Sequence, residues 1–316
     1  MGEKIYVGVD LGGTTIKVGL CDAKGQLLKT YEGDTEAQHG AEHVLSNSAA
    51  YVRKLFDQTE YDWDQVEGIG AGIPGFMDIP NGFVKLSPNL GWRNVDVKGT
   101  LEAKLGKSVR IDNDANVAAL GEAWGGAGAG IDNLICFTLG TGVGGGIIAK
   151  GSLIQGFAGM AGELGHLNVV PEDEAISCGC GKKGCLETVS SATGIIYMAK
   201  QAVADGAETS LSSLESITAK DVMDAAKLGD QTAIKIVHRA AFYLGRAMAL
   251  MSVTINPQRF VVGGGVSKAG EYLFQIIDHY YRELAVENSQ EGVDIVPAVL
   301  SNDAGVVGAA GLHLFG

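Results

Sequence analysis

Hydrophobic and polar positions along the chain fall into two patterns: short strand-like runs broken by glycine turns, and longer stretches with helical period. Ile5 to Asp10 and Ile16 to Cys21 are rich in residues that favour strands, and Leu11-Gly12-Gly13-Thr14-Thr15 joins them as a hairpin turn. A third run, Leu27 to Tyr31, follows a Lys24-Gly25 turn, so three antiparallel strands are predicted. From His43 to Phe56 the apolar positions Leu45, Ala49, Val52 and Phe56 recur with the period of a helix. Val66 to Ile73 reads as a buried strand ending in Pro74-Gly75, and Val109 to Asp112 as another. Strands, a helix and further strands describe an α/β unit.

A second unit opens with an alanine-rich helix, Asp114 to Trp124, followed by strands over Leu134 to Leu139 and Gly144 to Lys150 with a glycine-rich turn between them. Here the chain echoes itself. Asp10-Leu11-Gly12-Gly13-Thr14 aligns with Thr138-Leu139-Gly140-Thr141-Gly142, 128 positions on. Each is a strand, a Gly/Thr turn and a strand, as two diverged copies of one hairpin would be. Later segments are mainly helical: Thr218 to Leu228 with a threonine cap, Thr232 to Thr254 closed by Asn256-Pro257, Ala269 to Glu287, and a terminal helix from Ala304 to Leu314. Strands are predicted at Arg259 to Val262 and Val293 to Leu300. The domain junction is expected near Asn113-Asp114. That gives a small α/β domain over 1–113, rejoined by the C-terminal helix 303–316, and a larger one over 114–302.

Composition sharpens this picture. Glycine numbers 47 of 316 residues, about twice the usual share, and clusters in turns that suit close approach to a ligand. The net charge of −13 argues against nucleic acid as a partner, because phosphate backbones need basic patches. No apolar stretch nears the roughly twenty residues of a membrane span, and the N-terminus lacks a signal-peptide pattern, so a cytoplasmic protein is expected.

Three of the five cysteines, Cys178, Cys180 and Cys185, fall in one short loop, and His166 lies twelve residues before the first. Three thiolates and an imidazole are the ligand set of a closed tetrahedral zinc site. Gly179, Gly181 and Gly184 let so short a loop curl round an ion. Four ligands fill the metal, so its expected role is structural, holding the flanking Glu163 and Glu187 in place. The competing reading is a disulfide or ordinary buried cysteines.

Glycine turns at 12–15, 140–146 and 263–265 bring backbone N–H groups, with threonine hydroxyls, where phosphate oxygens could sit. None fits a P-loop. Gly140-x-Gly142-x-x-Gly145 has dinucleotide spacing but is followed by a strand rather than the helix that fingerprint needs. Asp10, just before the first turn, is a candidate Mg²⁺ ligand. Asp114, at a strand end and helix start, reads as an ordinary N-cap. It also stands where a phosphoryl-transfer enzyme places a base for the acceptor hydroxyl, and both roles can coexist. Asn89, Asn113, Glu163, His166 and Glu187 make a two-pronged polar set of the kind that reads sugar hydroxyls.

Asp10-Leu11-Gly12-Gly13-Thr14-Thr15, Gly72-Ile73-Pro74-Gly75, Asn113-Asp114-Ala115-Asn116, Leu139 to Gly146, Glu163-Leu164-Gly165-His166 and Cys178 to Glu187 resemble the ROK family of sugar kinases and repressors over essentially the whole chain. Within it, Ser87 to Trp92 and Leu186-Glu187-Thr188 look most like the bacterial ATP-dependent glucokinases. The resemblance implies an actin-like, duplicated ribonuclease-H-like α/β fold of two domains, with ATP and sugar in the interdomain cleft. Asp114 matches the catalytic base, and Gly75, Asn89, Asn113, Asp114, Glu163, His166 and Glu187 the sugar site. Asp10, Gly12, Gly13, Thr14, Thr15, Thr138, Gly140, Thr141 and Gly142 match the phosphate and Mg²⁺ site, and Gly264 and Gly265 the loop near adenosine. The implied activity is phosphorylation of glucose by ATP in a homodimer or homotetramer. Two rivals stand beside it. One is a sister kinase for fructose, mannose or an N-acetylhexosamine. The other is a sugar-sensing repressor, disfavoured because Asp10 follows Met1 too closely for a DNA-binding domain to precede it.

Overall fold

Alternation along the first strand sends its side chains to two different cores. In β1 (Ile5–Leu11), Ile5, Val7, Val9 and Leu11 enter one buried cluster, while Tyr6 enters another. β2 (Thr15–Cys21) pairs with β1 antiparallel, Asp10 opposite Lys17, and β3 (Leu27–Asp34) pairs with β2. The expected three strands are present, the third running on past its apolar stretch to Asp34. α1 (Ala41–Phe56) buries Leu45, Ala49 and Val52 of the expected stripe together with Val44 and Leu55, while Phe56 is half-buried. β4 (Val66–Ile73) then lies parallel to β1.

β5 (Phe76–Asp78), β6 (Phe83–Ser87) and β7 (Trp92–Asp96) form a separate antiparallel sheet that the hydrophobic pattern does not predict. Strands this short show no readable period. α2 (Val97–Leu105) leads to β8 (Val109–Asn113), which lies parallel to β4 and completes a sheet of order β3-β2-β1-β4-β8. α3 (Asp114–Gly125) follows without a break.

The structure, a computed structural model, describes residues 4–315; residues 1–3 and 316 of the expected first domain lie outside it. The chain forms two compact units, Met1–Asp132 with Gly146–Gly162 and Val299–Gly316, and Asn133–Gly145 with Glu163–Ala298. The second begins with β9 (Leu134–Leu139) and the opening residues of β10 (Val143–Ala149), whose far end pairs with β11 (Ser152–Leu153) in the first unit. Its helices are α4 (Glu187–Ser190), α5 (Ala192–Ala204), α6 (Ala219–Lys227), α7 (Gln231–Thr254) and α8 (Glu271–Leu284). The Thr218 side chain caps α6 as expected, accepting from Asp221 N. β12 (Arg259–Gly263) runs parallel to β9 on one side and β13 (Asp294–Pro297) on the other. The helix expected from Ala269 begins only at Glu271, because Gly270, at φ 73°, breaks it from a preceding 3₁₀ turn.

α9 (Ala304–Phe315) packs in the first unit, against the face opposite α1, and it does so backbone to backbone. A Cβ on Gly8 would stand 1.8 Å from Val306 O, one on Gly70 1.8 Å from Ala309 O, and one on Gly308 1.6 Å from Val117 O of α3. Part of the glycine excess is therefore a packing device and not the ligand-facing loops its abundance suggests. The same contact places α3 in the first unit, so that unit extends past the junction expected at Asn113-Asp114. No helix among the described residues is long and apolar enough to cross a membrane.

Gly308→Ala is expected to destabilise the protein by about 3 kcal/mol, the upper end of overpacking costs. Urea unfolding would show it as a lowered midpoint. An unchanged midpoint would mean that α3 and α9 separate freely.

Candidate active site

Three parallel strands end side by side in the first unit. Asp10 on β1 stands opposite Gly72 on β4, which stands opposite Asp112 on β8. Asp10, Pro74-Gly75 and Asn113-Asp114 therefore collect at one edge of the sheet, where open α/β sheets bind ligands. Asp10 is half-buried, and its pKa is pushed up to about 6 by that burial and then by the Asp114 charge, against the pull of Lys17. Lys17 shares its own charge between Asp303 at 2.5 Å and Glu32 at 2.9 Å.

The adjoining turn is closed by Gly12 N donating to Thr15 O at 2.9 Å, and the Thr35 hydroxyl donates to Gly12 O at 2.7 Å. Gly13, Thr14 and Thr15 are left on the exposed rim. Asn89 borders them, its carbonyl 3.7 Å from where a Gly13 Cβ would stand. Gly75 has φ 135°, and a Cβ there would come 2.4 Å from Leu86 O, so both backbone and space demand glycine.

Asn113, not Asp114, is the N-cap of α3. Its Oδ1 accepts from Ala115 N at 2.8 Å and Asn116 N at 3.4 Å, while its Nδ2 donates to Gly75 O at 3.3 Å. Asp114 becomes the first helical residue, and its Oδ1 accepts from Ala115 N at 3.0 Å. Asp114 is exposed, yet desolvation by the protein around its carboxylate raises its pKa, against the bonds from Ala115 and Asn113. Beneath it lies Asp112, fully buried, its pKa also raised by burial. Asp112 Oδ1 accepts from Asn113 N at 2.7 Å and Asn116 Nδ2 at 2.8 Å, and its Oδ2 from Gln155 Nε2 at 2.6 Å.

In the second unit Thr138, at the end of β9, stands opposite Gly263 at the end of β12. The Gly140–Gly142 turn and Gly264-Gly265 are thereby neighbours. Gly140 N donates to Gly142 O at 3.0 Å, a closure one residue tighter than that of the first turn. Ala192 N and the Thr193 hydroxyl hold that turn from α5, donating to Gly140 O at 2.8 Å and Thr141 O at 2.5 Å. Gly264, at φ 87°, lies so close that a Cβ would be 2.4 Å from Leu139 O.

The ligand atoms of His166, Cys178, Cys180 and Cys185 lie within 4.8 Å of one another, so the cluster can hold a metal ion. Cys178 Sγ is 3.7 Å from His166 Nδ1, and Cys180 Sγ 3.6 Å from Cys185 Sγ. That sulfur separation is far beyond a disulfide bond of roughly 2.05 Å, and all five cysteines are free. Gly181 and Gly184, at φ 84° and 79°, supply the curl of the loop. Cys178 Sγ donates to Glu187 Oε1 at 2.9 Å, and His166 Nδ1 lies 3.8 Å from the same oxygen. Glu163 Oε2 is 3.9 Å from His166 Nε2, so the two acids flank the imidazole. Beside them opens a hollow of about 800 Å³ lined by Thr141, Gly142, Cys178, Glu187, Thr193 and Tyr197.

Sequence reasoning missed Asp112, Gln155 and Thr193. A charged residue at the end of the strand-like run that begins at Val109 was a usable signal for Asp112. Gln155 and Thr193 carried none, since their partners are set by tertiary packing.

The ROK family profile matches residues 6–314. The chain is 43% identical over 316 residues to a glucokinase of Halalkalibacterium halodurans, a match that covers 99% of this chain and 96% of that protein. A Thermotoga maritima glucokinase is 39% identical over 315 residues, covering 97% and 96%. Among solved structures, a ROK family glucokinase from Streptomyces griseus in complex with glucose and AMPPNP is 37% identical, with a TM-score of 0.77 and 98% of each chain covered.

The raised pKa of Asp10 fixes a sign. Its folded carboxyl holds a proton to higher pH than the unfolded one, so stability falls as pH rises from about 4 through about 6. Asp10→Asn, free of this penalty, is expected to gain melting temperature relative to the parent across that window and to keep the gain above it, in chelator-treated buffer. A difference independent of pH would show that Asp10 is not perturbed.

Proposed function

The chain belongs to the ROK family, and on that premise we propose that it transfers the γ-phosphoryl group of ATP to the 6-hydroxyl of glucose. The observation that carries the reading is Asp114 itself. Asn113 takes over the capping, so the Asp114 carboxylate stays accessible at the strand-end edge, with its pKa moved toward working pH. Identity to glucokinases over nearly the full chain supports the substrate.

In this reading Asp114 accepts the proton as the sugar oxygen attacks phosphorus, and the bond from phosphorus to the ADP oxygen breaks. Asn89, Asn113, Glu163, His166 and Glu187 bind the sugar hydroxyls, and the Gly75 backbone shapes the pocket floor. Gly12, Gly13, Thr14 and Thr15, together with Thr138, Gly140, Thr141 and Gly142, offer N–H and hydroxyl donors to phosphate oxygens. Gly264 and Gly265 border the adenosine.

Mg²⁺ fits beside Asp10, because the mutual repulsion of Asp10 and Asp114 is what a divalent cation relieves. When bound it supplies positive charge to the phosphates. Zinc fits the cysteine cluster. Two sulfurs at ~2.3 Å from a tetrahedral zinc stand roughly 3.8 Å apart, close to the 3.6 Å between Cys180 and Cys185. With all four positions taken by protein, that zinc is structural.

Asp114→Asn is expected to lose ~10²–10⁴-fold in kcat while glucose still binds. ATP consumption in a coupled assay, with glucose, fructose, mannose, N-acetylglucosamine and N-acetylmannosamine in parallel, tests both the residue and the sugar. Near-normal turnover by the variant removes Asp114 from the mechanism, and preference for another hexose replaces glucose. Cys180→Ser is expected to lose its zinc by elemental analysis and to raise the KM for glucose. A zinc-free variant with unchanged KM would end the scaffold role.

A further inference from the structure

Away from the strand-end edge, the first unit holds a second cavity, of about 200 Å³. Its lining includes Ile79, Pro80, Lys98, Arg110, Gln155 and Leu312. Two cationic side chains and an amide thus face one small space in a chain of net charge −13. Lys98 is half-buried and forms no ion pair among the described residues. Arg110 Nη1 donates to Leu312 O at 2.8 Å, which fixes the guanidinium in the cavity wall. A water takes ~30 Å³ of liquid, so the cavity has room for a phosphate group with little attached and none for a nucleotide.

The third polar group reaches the candidate active site. Gln155 Nε2 donates to Asp112 Oδ2, and the other oxygen of Asp112 holds Asn113 N and Asn116 Nδ2. Asn113 in turn caps the helix that begins with Asp114. Gln155 and Asp112 are thus the two residues between the cavity and the Asn113-Asp114 turn.

We propose that this cavity binds a small phosphate-bearing anion, either inorganic phosphate or a short phosphate monoester, and that its occupancy slows turnover. The anion accepts hydrogen bonds from Lys98, Arg110 and the Gln155 amide. A Gln155 turned toward the anion withdraws its donor from Asp112. A buried carboxylate short of a donor is destabilised, and its hold on Asn113 and Asn116 loosens. The first turn of α3 then leaves Asp114 less well aimed. The binding half stands on the cavity alone; the inhibitory half rests on Asp114 being the base of a kinase.

The test titrates the full chain with inorganic phosphate in a calorimeter, in phosphate-free buffer. Lys98→Gln keeps the stem that packs on Gly82 and is expected to weaken binding at least tenfold, while Lys98→Arg stays near the parent. Glycerol 3-phosphate, titrated in the same way, shows whether the ester or the free ion binds more tightly. In the coupled assay, phosphate is expected to lower kcat for the parent with the KM for ATP unchanged, and to leave Lys98→Gln untouched at the same concentrations. Equal phosphate affinity in parent and Lys98→Gln overturns the site. Inhibition that only raises the KM for ATP overturns the coupling to Asp114. The calorimetric result is independent of whether glucose is the substrate.

Discussion

A carboxylate cut off from solvent is costly unless donors meet it, and Asp112 is such a group. Three donors converge on it, from Asn113, Asn116 and Gln155. Burial still holds its pKa above the ordinary range, so the bonds offset the cost only in part. The first-unit edge is ordered by this arrangement. With its backbone N–H committed to Asp112, Asn113 is placed to cap α3 and to reach Gly75 O with its amide. Asp114 is then released from capping. An exposed carboxylate and a buried one, two residues apart, thus differ by environment alone, and on the proposed reading the exposed one is the base.

The same edge needs the strands beneath it to stay in register, and there the constraint is steric. α9 touches β1 and β4 through Gly8 and Gly70, and touches α3 through Gly308. Side chains in these places would lift the helix off the sheet. The hairpin, the helix at 41–56 and the long helix at 231–254 were legible in the sequence because periodic burial writes itself into the pattern. The strands β5 to β7 were not legible, being too short to alternate visibly. The role of the packing glycines was hidden as well. A glycine under a helix and a glycine facing a phosphate look identical until the neighbour is known.

Much the same division runs through the candidate site. Residues with chemistry at strand ends were readable, because Asp10, the Gly/Thr turns and Asn113-Asp114 all sit where an apolar run stops. The cysteine loop was readable from spacing. The identity of the cap was not: asparagine and aspartate are about equally good N-caps, and only the folded structure shows Asn113 Oδ1 accepting from Ala115 N and Asn116 N. Gln155 could not be found at all, since it lies 43 residues from Asp112 in the chain.

Glu187 ties the metal loop to the turn beside it. One of its oxygens accepts from Cys178 Sγ, and the other fills the space that a side chain on Gly142 would need. Gly142 is thus glycine because a carboxylate stands there, not only because a phosphate could. Metal ligation requires the thiolate, so an ion bound by Cys178 removes the proton that Glu187 now accepts. The carboxylate would then have an oxygen to offer elsewhere while His166 and the loop keep it in place. On the proposed reading that oxygen meets a sugar hydroxyl. On that reading a fully ligated ion would influence sugar binding through the hydrogen-bond partner it takes away from Glu187, with no bond of its own to the sugar.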